Sequence, residues 1–159
     1  MTNPLLPEHI YHIYNYANGN ENLFREDENY GYFLQRYWEF IDPIAEIYAY
    51  CLMPNHFYLM VKIRREDEIF EYFKLSKNLT DVEDLSGLIS KQFSNLFNAY
   101  SKEFNKKYSR RGSLFQRAMK RKEVTSDTYY TDLILYLQLN PVHHNFTNDP
   151  YSWKSSSIH

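Results

Sequence analysis

The stretch His56–Ile63 constrains the fold most, because every second residue along it, from Phe57 to Ile63, is strongly apolar. This period of two is typical of a strand that buries one face only. We expect one face to pack against helices and the other to carry an imidazole beside a phenol on a rigid strand. Alternatively, His56 only caps a turn and Tyr58 only packs. The first face carries Phe57, Leu59, Val61 and Ile63, and the second carries His56, Tyr58, Met60 and Lys62.

The rest of the chain alternates between helical and extended patterns, which predicts an α+β fold. We expect a small antiparallel sheet with helices packed on one face, ferredoxin-like, and a site on the open sheet face. The predicted strands are His9–Tyr16 and Ile44–Met53, and the predicted helices are Glu26–Phe40, Glu68–Lys77 and Leu85–Tyr108. A loop is predicted over Asn78–Asp84 and a mostly extended segment over Phe115–Val124. Residues 145–159 are expected to form an irregular tail from which Tyr151 and Trp153 pack back on the body.

A further helix is predicted around Tyr136. The side chain of Ser126 or Asp127 is expected to cap it by accepting hydrogen bonds from its first backbone amides, and Pro141 is expected to end it. Tyr136 and Asn140 then lie one turn apart on one face. A phenol can act as a covalent nucleophile, and an amide oxygen can help to hold a hard cation. The alternative is that Tyr136 only packs, since the chain has 16 tyrosines.

Length and composition indicate one globular domain over residues 1–159, with 43% hydrophobic residues. No apolar run is long enough to span a bilayer, since Glu46 and Pro54 interrupt the best candidate, so no membrane partner is expected. The N-terminus lacks the layout of a secretory signal. The single cysteine, Cys51, cannot form an internal disulfide and is interpreted as structural. These features predict a cytoplasmic protein.

Basic charge is concentrated in one part of the chain, although the net charge is −2. Between residues 102 and 122 only Glu103 opposes nine basic side chains, half of the 18 in the chain. Aromatic residues lie in and beside the same stretch, and bases stack on rings while cations contact phosphates. The pattern predicts nucleic-acid binding; the alternative is a solvated helix end with a polar loop. The nine residues are Lys102, Lys106, Lys107, Arg110, Arg111, Arg117, Lys120, Arg121 and Lys122.

Six local motifs, in order along nearly the whole chain, together resemble the single-strand DNA tyrosine transposases of the HUH superfamily. The closest branch is the REP-associated tyrosine transposases, which act on repeated extragenic palindromes. The motifs are Tyr11-His12-Ile13-Tyr14-Asn15, Glu21-Asn22-Leu23-Phe24, Met53-Pro54-Asn55-His56-Phe57-Tyr58-Leu59-Met60-Val61, Gly112-Ser113-Leu114-Phe115-Gln116-Arg117, Tyr136-Leu137-Gln138-Leu139-Asn140-Pro141-Val142 and Tyr151-Ser152-Trp153-Lys154-Ser155-Ser156.

This resemblance implies a sheet that presents a metal site and a tyrosine that attacks a DNA phosphate. The products would be a 5′-phosphotyrosine link and a free 3′-hydroxyl. By position Tyr136 matches the nucleophile, while His56 and Asn140 match metal ligands. The cofactor implied is Mg²⁺ or Mn²⁺, and the partner is single-stranded or hairpin DNA. A homodimer and a monomer both remain open.

The chain departs from the family pattern where Tyr58 replaces the second histidine of the metal pair. A neutral phenol, with a pKa of about 10, is a poor ligand for a hard cation, so Tyr58 is a doubtful ligand. Asn145 stands where relatives carry a glycine. His143 and His144 follow Pro141 and are expected to point away from the site. His12, on a neighbouring strand, is able to reach it.

Three functions are therefore considered. The first is a transposase or nuclease that cleaves and rejoins single-stranded DNA through Tyr136. The second is a DNA-hairpin-binding protein of the same descent in which Tyr58 has weakened or abolished catalysis. The third is a structural or protein-interaction domain without a DNA role, which the concentrated basic stretch disfavours.

Overall fold

The computed structural model describes residues 4–77 and 85–157, and in these ranges the chain forms four strands, four α-helices and one short 3-10 helix. The loop predicted over Asn78–Asp84 lies outside the described residues. The elements are β1 (Ile10–Tyr16), α1 (Asp27–Phe40), β2 (Ala45–Met53), β3 (His56–Ile63), α2 (Glu66–Lys77), α3 (Leu85–Lys107), β4 (Lys120–Glu123), α4 (Asp127–His143) and the 3-10 helix Pro150–Ser152.

The four strands form one antiparallel sheet in the order β2-β3-β1-β4, which confirms the predicted α+β, ferredoxin-like class. The register pairs Tyr16 with His56 and Tyr14 with Tyr58 across β1 and β3. On the other side of β1, Tyr14 pairs with Lys120 of β4. Directly paired residues share a sheet face, so side chains from three strands meet on one surface.

The predicted alternation of β3 is confirmed on its apolar face. Phe57, Leu59, Val61 and Ile63 are fully buried. They pack in one cluster with side chains of α1 and α3, which lie together on this side of the sheet. Burying large apolar side chains contributes about 1.5–3 kcal/mol each. The main core therefore lies between the sheet and these two helices.

The opposite sheet face was predicted to be open. This prediction is wrong, because α4 packs across that face. Leu133 and Leu137, one turn apart on α4, are buried against Tyr58 and Met60 of β3. An apolar helix stripe must be buried, and this second sheet face is where it packs. Cys51 of β2 lies in the same cluster, and burial raises the pKa of its thiol to about 12, as suits a structural cysteine.

Helix α4 begins as predicted, with the Ser126 side chain accepting a hydrogen bond from the Tyr129 amide at 3.1 Å. The prediction that Pro141 ends the helix is wrong, since α4 continues to His143. Proline removes one backbone donor and crowds the preceding turn. Here only two helical residues follow Pro141, so the backbone hydrogen bond that Pro141 cannot donate affects little of the helix.

The end of α4 is closed by a Schellman motif. The Asn145 amide donates to the Val142 carbonyl at 3.0 Å, and the Phe146 amide donates to the Pro141 carbonyl at 2.9 Å. Asn145 itself has a φ of 62°, in the left-handed region. Glycine is preferred at this position and asparagine is the usual second choice. The asparagine that departs from the family pattern therefore fits the backbone conformation.

The extended segment predicted over Phe115–Val124 is shorter in the structure. Only Lys120–Glu123 forms a strand, and Phe115 makes an isolated bridge to Ala17. Between them Ala118 has a φ of 58°, which no regular strand residue adopts.

The C-terminal tail adds an irregular edge to the sheet. The Leu52 amide donates to the Ser155 carbonyl at 2.8 Å, and the Ser157 amide donates to the Tyr50 carbonyl at 3.0 Å. Trp153 packs back as predicted, and its indole donates to the Leu52 carbonyl at 2.8 Å. The prediction for Tyr151 is wrong, because this side chain is 66% exposed. The tail covers backbone groups that an edge strand would otherwise leave unpaired.

None of the helices in the described residues combines the length and apolar character that crossing a membrane requires.

Candidate active site and nucleic-acid surface

His56, at the start of β3, is buried and has a defined orientation. Its Nδ1 lies 2.6 Å from the Asn55 Oδ1, and an amide oxygen can only accept, so Nδ1 carries the proton. Nε2 then keeps its lone pair and has no hydrogen-bond partner among the described residues. Burial, with a smaller effect of His144, lowers the pKa of His56 to about 4. The imidazole is therefore neutral near pH 7 and able to act as a ligand.

Tyr58, two residues further along β3, is the residue that the sequence comparison made a doubtful metal ligand. Its ring centre lies 5.3 Å from that of His56, and its hydroxyl lies 3.1 Å from the Tyr16 hydroxyl. Burial, then the hydrogen bonds with Tyr16 and Tyr136, raise the pKa of Tyr58 far above its ordinary value. The phenol stays protonated, and a protonated phenol is a poor ligand for a divalent cation.

Helix α4 carries Tyr136 and Asn140 one turn apart, as predicted. Tyr136 is 38% exposed, and its ring centre lies 5.8 Å from that of Tyr58. Asn140 is fully buried, and neither its amide nitrogen nor its amide oxygen has a partner among the described residues. Leaving a buried polar group unpaired costs about 1–3 kcal/mol. The structure therefore brings the rings of Tyr136, Tyr58 and His56 together, and α4 carries a buried amide without a partner in the described residues one turn after Tyr136.

The prediction that His143 and His144 point away from the site is wrong. The ring centre of His144 lies 4.5 Å from that of His56, with 62° between the planes. His143 lies nearer to Tyr136, at 6.1 Å between ring centres. Both follow from the continuation of α4 beyond Pro141. The spacing of Tyr136, Asn140 and His144 at four-residue steps was a signal in the sequence, but only in a helix that reaches His144.

His12 of β1 also reaches this surface. Its ring stacks on Tyr58 at 5.4 Å between centres. Burial, with a smaller effect of Lys122, lowers the pKa of His12 to about 4, and its buried Nε2 has no partner among the described residues. A pocket of about 480 Å³ opens between β1, β4 and α4, with Tyr136 in its wall. It is lined by His12, Lys122, Ser126, Thr128, Tyr129, Asp132, Leu133 and Tyr136.

Tyr16 and Asn55 belong to the site but were not predicted. Tyr16 stacks on His56 at 5.2 Å between ring centres and binds the Tyr58 hydroxyl, while Asn55 orients His56. Asn55 directly precedes His56, which was a usable signal. Tyr16 reaches the site through the pairing of β1 with β3, which no local pattern indicates.

The basic stretch divides between the two sides of the sheet. Lys120 and Lys122 lie on the site face, in register with Tyr14 and His12. Both are exposed, and the Lys120 ammonium lies 5.1 Å from the centre of the Tyr16 ring. Lysines and aromatic rings on one face form the combination that contacts phosphates and bases.

The other basic residues lie elsewhere. Lys107 forms ion pairs with Glu26 and Glu28, and Arg110 pairs with Glu21 at 2.9 Å while holding loop carbonyls. Helix α3 packs on the face opposite α4. The nine residues therefore do not form one continuous surface. Lys102, Lys106 and Arg111 are exposed, and Arg117 and Arg121 line a cavity of about 590 Å³ beside α3.

The donor atoms on this face are compatible with a divalent cation. Nε2 of His56 and Oδ1 of Asn140 are buried and unpaired in the described part of the chain, and both are neutral donors. Residues 4–77 and 85–157 contain no cluster of three or more histidine, cysteine, aspartate or glutamate side chains that could hold a metal ion. A cation here would therefore depend on imidazole and amide donors completed by solvent or substrate oxygen.

No family model matches this sequence, and no curated protein matches it. The fold is similar to a solved structure of a REP-associated tyrosine transposase bound to a REP hairpin, with a TM-score of 0.71. The match covers 100% of this chain and 82% of that chain, at 14% sequence identity. The whole described chain thus has the fold on which that transposase is built, in agreement with the fold that the sequence motifs imply.

Proposed function

We propose that this protein is a REP-associated tyrosine transposase that binds hairpin DNA and cleaves and rejoins single strands through Tyr136. Two independent lines support the proposal. The motifs from Tyr11 to Ser156 resemble that branch in order and spacing, and the fold is similar to that of a member solved with a REP hairpin. The partner of this chain is accordingly single-stranded or hairpin DNA.

The observation that carries the proposal is the meeting of donors from distant parts of the chain. The half-exposed phenol of Tyr136 contacts the ring of Tyr58, which contacts the ring of His56. Nε2 of His56 and the side-chain amide of Asn140, one helical turn after Tyr136, are both buried and unpaired in the described residues. Buried polar groups without hydrogen-bond partners destabilise the fold, and such groups cluster at functional sites.

In the proposed reaction the Tyr136 oxygen attacks a DNA phosphorus. A bond forms between that oxygen and phosphorus, the phenolic proton leaves to solvent or a nearby base, and the bond from phosphorus to the 3′-oxygen breaks. The leaving 3′-oxygen takes up a proton. The resulting 5′-phosphotyrosine diester preserves the free energy of the broken bond, so the reverse reaction rejoins a strand.

His56 and Asn140 are the residues proposed to hold a divalent cation. When bound, such a cation polarises the scissile phosphate and stabilises the charge that develops in the transition state. Asn55 holds the His56 ring in the tautomer that leaves Nε2 free. Tyr58 is not assigned as a ligand, because its phenol stays protonated.

The remaining site residues are proposed to position DNA. Lys120 and Lys122 extend from the edge strand on the same face as Tyr136, where their charges would neutralise phosphates. His12 and Tyr129 line the pocket beside Tyr136, and rings of this kind accept an unstacked base. Single-stranded substrates suit this arrangement because their bases are free to stack.

The test is formation of a covalent adduct. The full chain is mixed with a pool of labelled hairpin oligonucleotides that carry randomised single-stranded flanks, in the presence of Mn²⁺, and adducts that survive denaturation are counted. We expect an adduct with wild type and none with Tyr136→Phe. Tyr151→Phe, which alters an exposed tyrosine of the tail, is the matched control and should retain the adduct.

The second candidate is a DNA-hairpin-binding protein whose catalysis is weakened or lost, and the raised pKa of Tyr58 at the place of a metal ligand favours it. It predicts hairpin binding in a mobility-shift assay without any adduct. If wild type neither binds hairpins nor forms an adduct, both proposals fail and a structural or protein-interaction role remains.

A further inference from the structure

We propose that His144 is the second imidazole of the cation site and takes the role that Tyr58 cannot fill. The ligand set is then His56, His144 and Asn140. The inference deepens the proposed function, on which it rests for the use of the cation in DNA cleavage. Binding of the cation itself is measurable without DNA.

The two imidazoles are close enough to share one ion. Their ring centres lie 4.5 Å apart, with 62° between the planes. Two imidazoles that bind one cation at nitrogen distances near 2.1 Å have ring centres roughly 4.5–5.5 Å apart. The observed spacing lies within that range.

The other proposed ligand atoms lie on the same two elements, the start of β3 and the end of α4. His56 keeps an unpaired Nε2 because Asn55 holds its Nδ1. Asn140 lies one turn before His144 on α4, and the His144 amide donates to the Asn140 carbonyl at 3.0 Å. The Asn140 side chain is fully buried with both amide atoms unpaired in the described residues. One helix end thus carries an amide and an imidazole beside the strand that carries His56.

His144 reaches His56 from the helix, whereas Tyr58 approaches along the strand. The Tyr58 hydroxyl is occupied by Tyr16, which also stacks on His56. These phenols contact the imidazole from the sheet, whereas His144 contacts it from the end of α4. His144 is exposed, so an ion can enter from solvent. The substitution of tyrosine for the second histidine is thereby compensated from another element.

The donor set also predicts the class of metal. Two imidazoles and one amide oxygen are neutral, and imidazole favours first-row transition ions over Mg²⁺. A DNA phosphate would supply the negative charge that the protein ligands lack. We therefore expect selectivity for ions such as Mn²⁺, Co²⁺ or Zn²⁺, in contrast to a site made of carboxylates.

The experiment titrates the metal-free full chain with CoCl₂ and with MgCl₂, and follows heat and visible absorption. We expect wild type to bind Co²⁺ with the absorption of a nitrogen-ligated ion and more tightly than Mg²⁺. His144→Ala should weaken Co²⁺ binding by about tenfold or more. The neighbouring His143→Ala is the matched control and should change it by less than about threefold. Circular dichroism and a second variant, His144→Gln, separate loss of a ligand from loss of folding.

The proposal is overturned if wild type does not bind Co²⁺, or if folded His144→Ala and His144→Gln bind it as wild type does. Equal losses in His143→Ala and His144→Ala would also overturn it. Failure here is distinguishable from failure of the proposed function. An adduct at Tyr136 that forms with Mg²⁺ and survives His144→Ala would retain the transposase and exclude the His144 ligand.

Discussion

The ring of Tyr136 on α4 packs nearly perpendicular to the ring of Tyr58 on β3, with ring centres 5.8 Å apart and 82° between the planes. Tyr58 in turn shares a hydrogen bond with Tyr16 on the neighbouring strand. The proposed nucleophile thus rests on a phenol that is itself held by the sheet.

Replacing Tyr58 by histidine is expected to strengthen cation binding. The new imidazole would lie beside His56 on the same strand face, so we expect about tenfold tighter Mn²⁺ binding, equivalent to about 1.4 kcal/mol, in calorimetry. Tyr58→Phe is the control, since it keeps the ring and adds no ligand. If Tyr58→His binds Mn²⁺ no better than Tyr58→Phe, the place of the metal site has been misassigned.

The two lysines of β4 on the site face are expected to contribute most of the phosphate contacts. In Lys120→Ala and Lys122→Ala the affinity for a hairpin oligonucleotide should fall for all sequences alike. The slope of log affinity against log salt should decrease by about one for each lysine removed. Fluorescence anisotropy across a salt series measures both quantities.

The control for this prediction is the pair Lys102→Ala and Lys106→Ala, which removes the same charge from α3 behind the sheet. Its effect on the slope should be clearly smaller. If the α3 pair changes the slope as much as the β4 pair, DNA contacts both sides of the molecule, and the division of the basic stretch has no functional meaning.

Asn145 provides a test of the end of α4. Because its φ is 62°, Asn145→Gly should raise the free energy of unfolding by about 0.5–1 kcal/mol, whereas Asn145→Ala should lower it by about 1 kcal/mol. Urea denaturation measures both. A stabilising Asn145→Ala would mean that the left-handed conformation is absent in solution, and the approach of His144 to His56 would lose its structural basis.

The buried histidines predict loss of stability in acid. The pKa values of His12 and His56 are lowered from 6.5 to about 4 in the folded chain, so the unfolded chain takes up protons first as the pH falls. The stability that depends on these two neutral histidines is fully present above pH 6.5 and is lost as the pH falls from 6.5 to 4. Each imidazole accounts for up to about 3 kcal/mol of this loss.

His12→Phe isolates one of these contributions, because phenylalanine keeps a ring against Tyr14 and Tyr58 and does not titrate. The difference in unfolding free energy between pH 7 and pH 4.5 should be smaller in this variant than in wild type, by urea denaturation at both values. An unchanged difference would show that His12 takes up its proton without penalty, and that it is not buried as described.

Local patterns in the sequence determined the parts of the fold that depend on neighbouring residues. The alternation of His56–Ile63 predicted which side chains face the main core and which share the site face, because a strand has a period of two, but it did not predict that α4 buries the site face as well. The four-residue spacing of Tyr136 and Asn140 predicted that both lie on one helix face, because a helix repeats every 3.6 residues. These rules act within one element, so they are readable without a structure.

Only the tertiary structure decided which elements meet. Tyr16 reaches Tyr58 through strand pairing. Helix α4 packs on the second sheet face and continues past Pro141, and this places His144 beside His56. The separation of Lys120 and Lys122 from the lysines of α3 likewise follows from the layers of the fold. Contacts between distant segments depend on packing of whole elements, which no local period encodes.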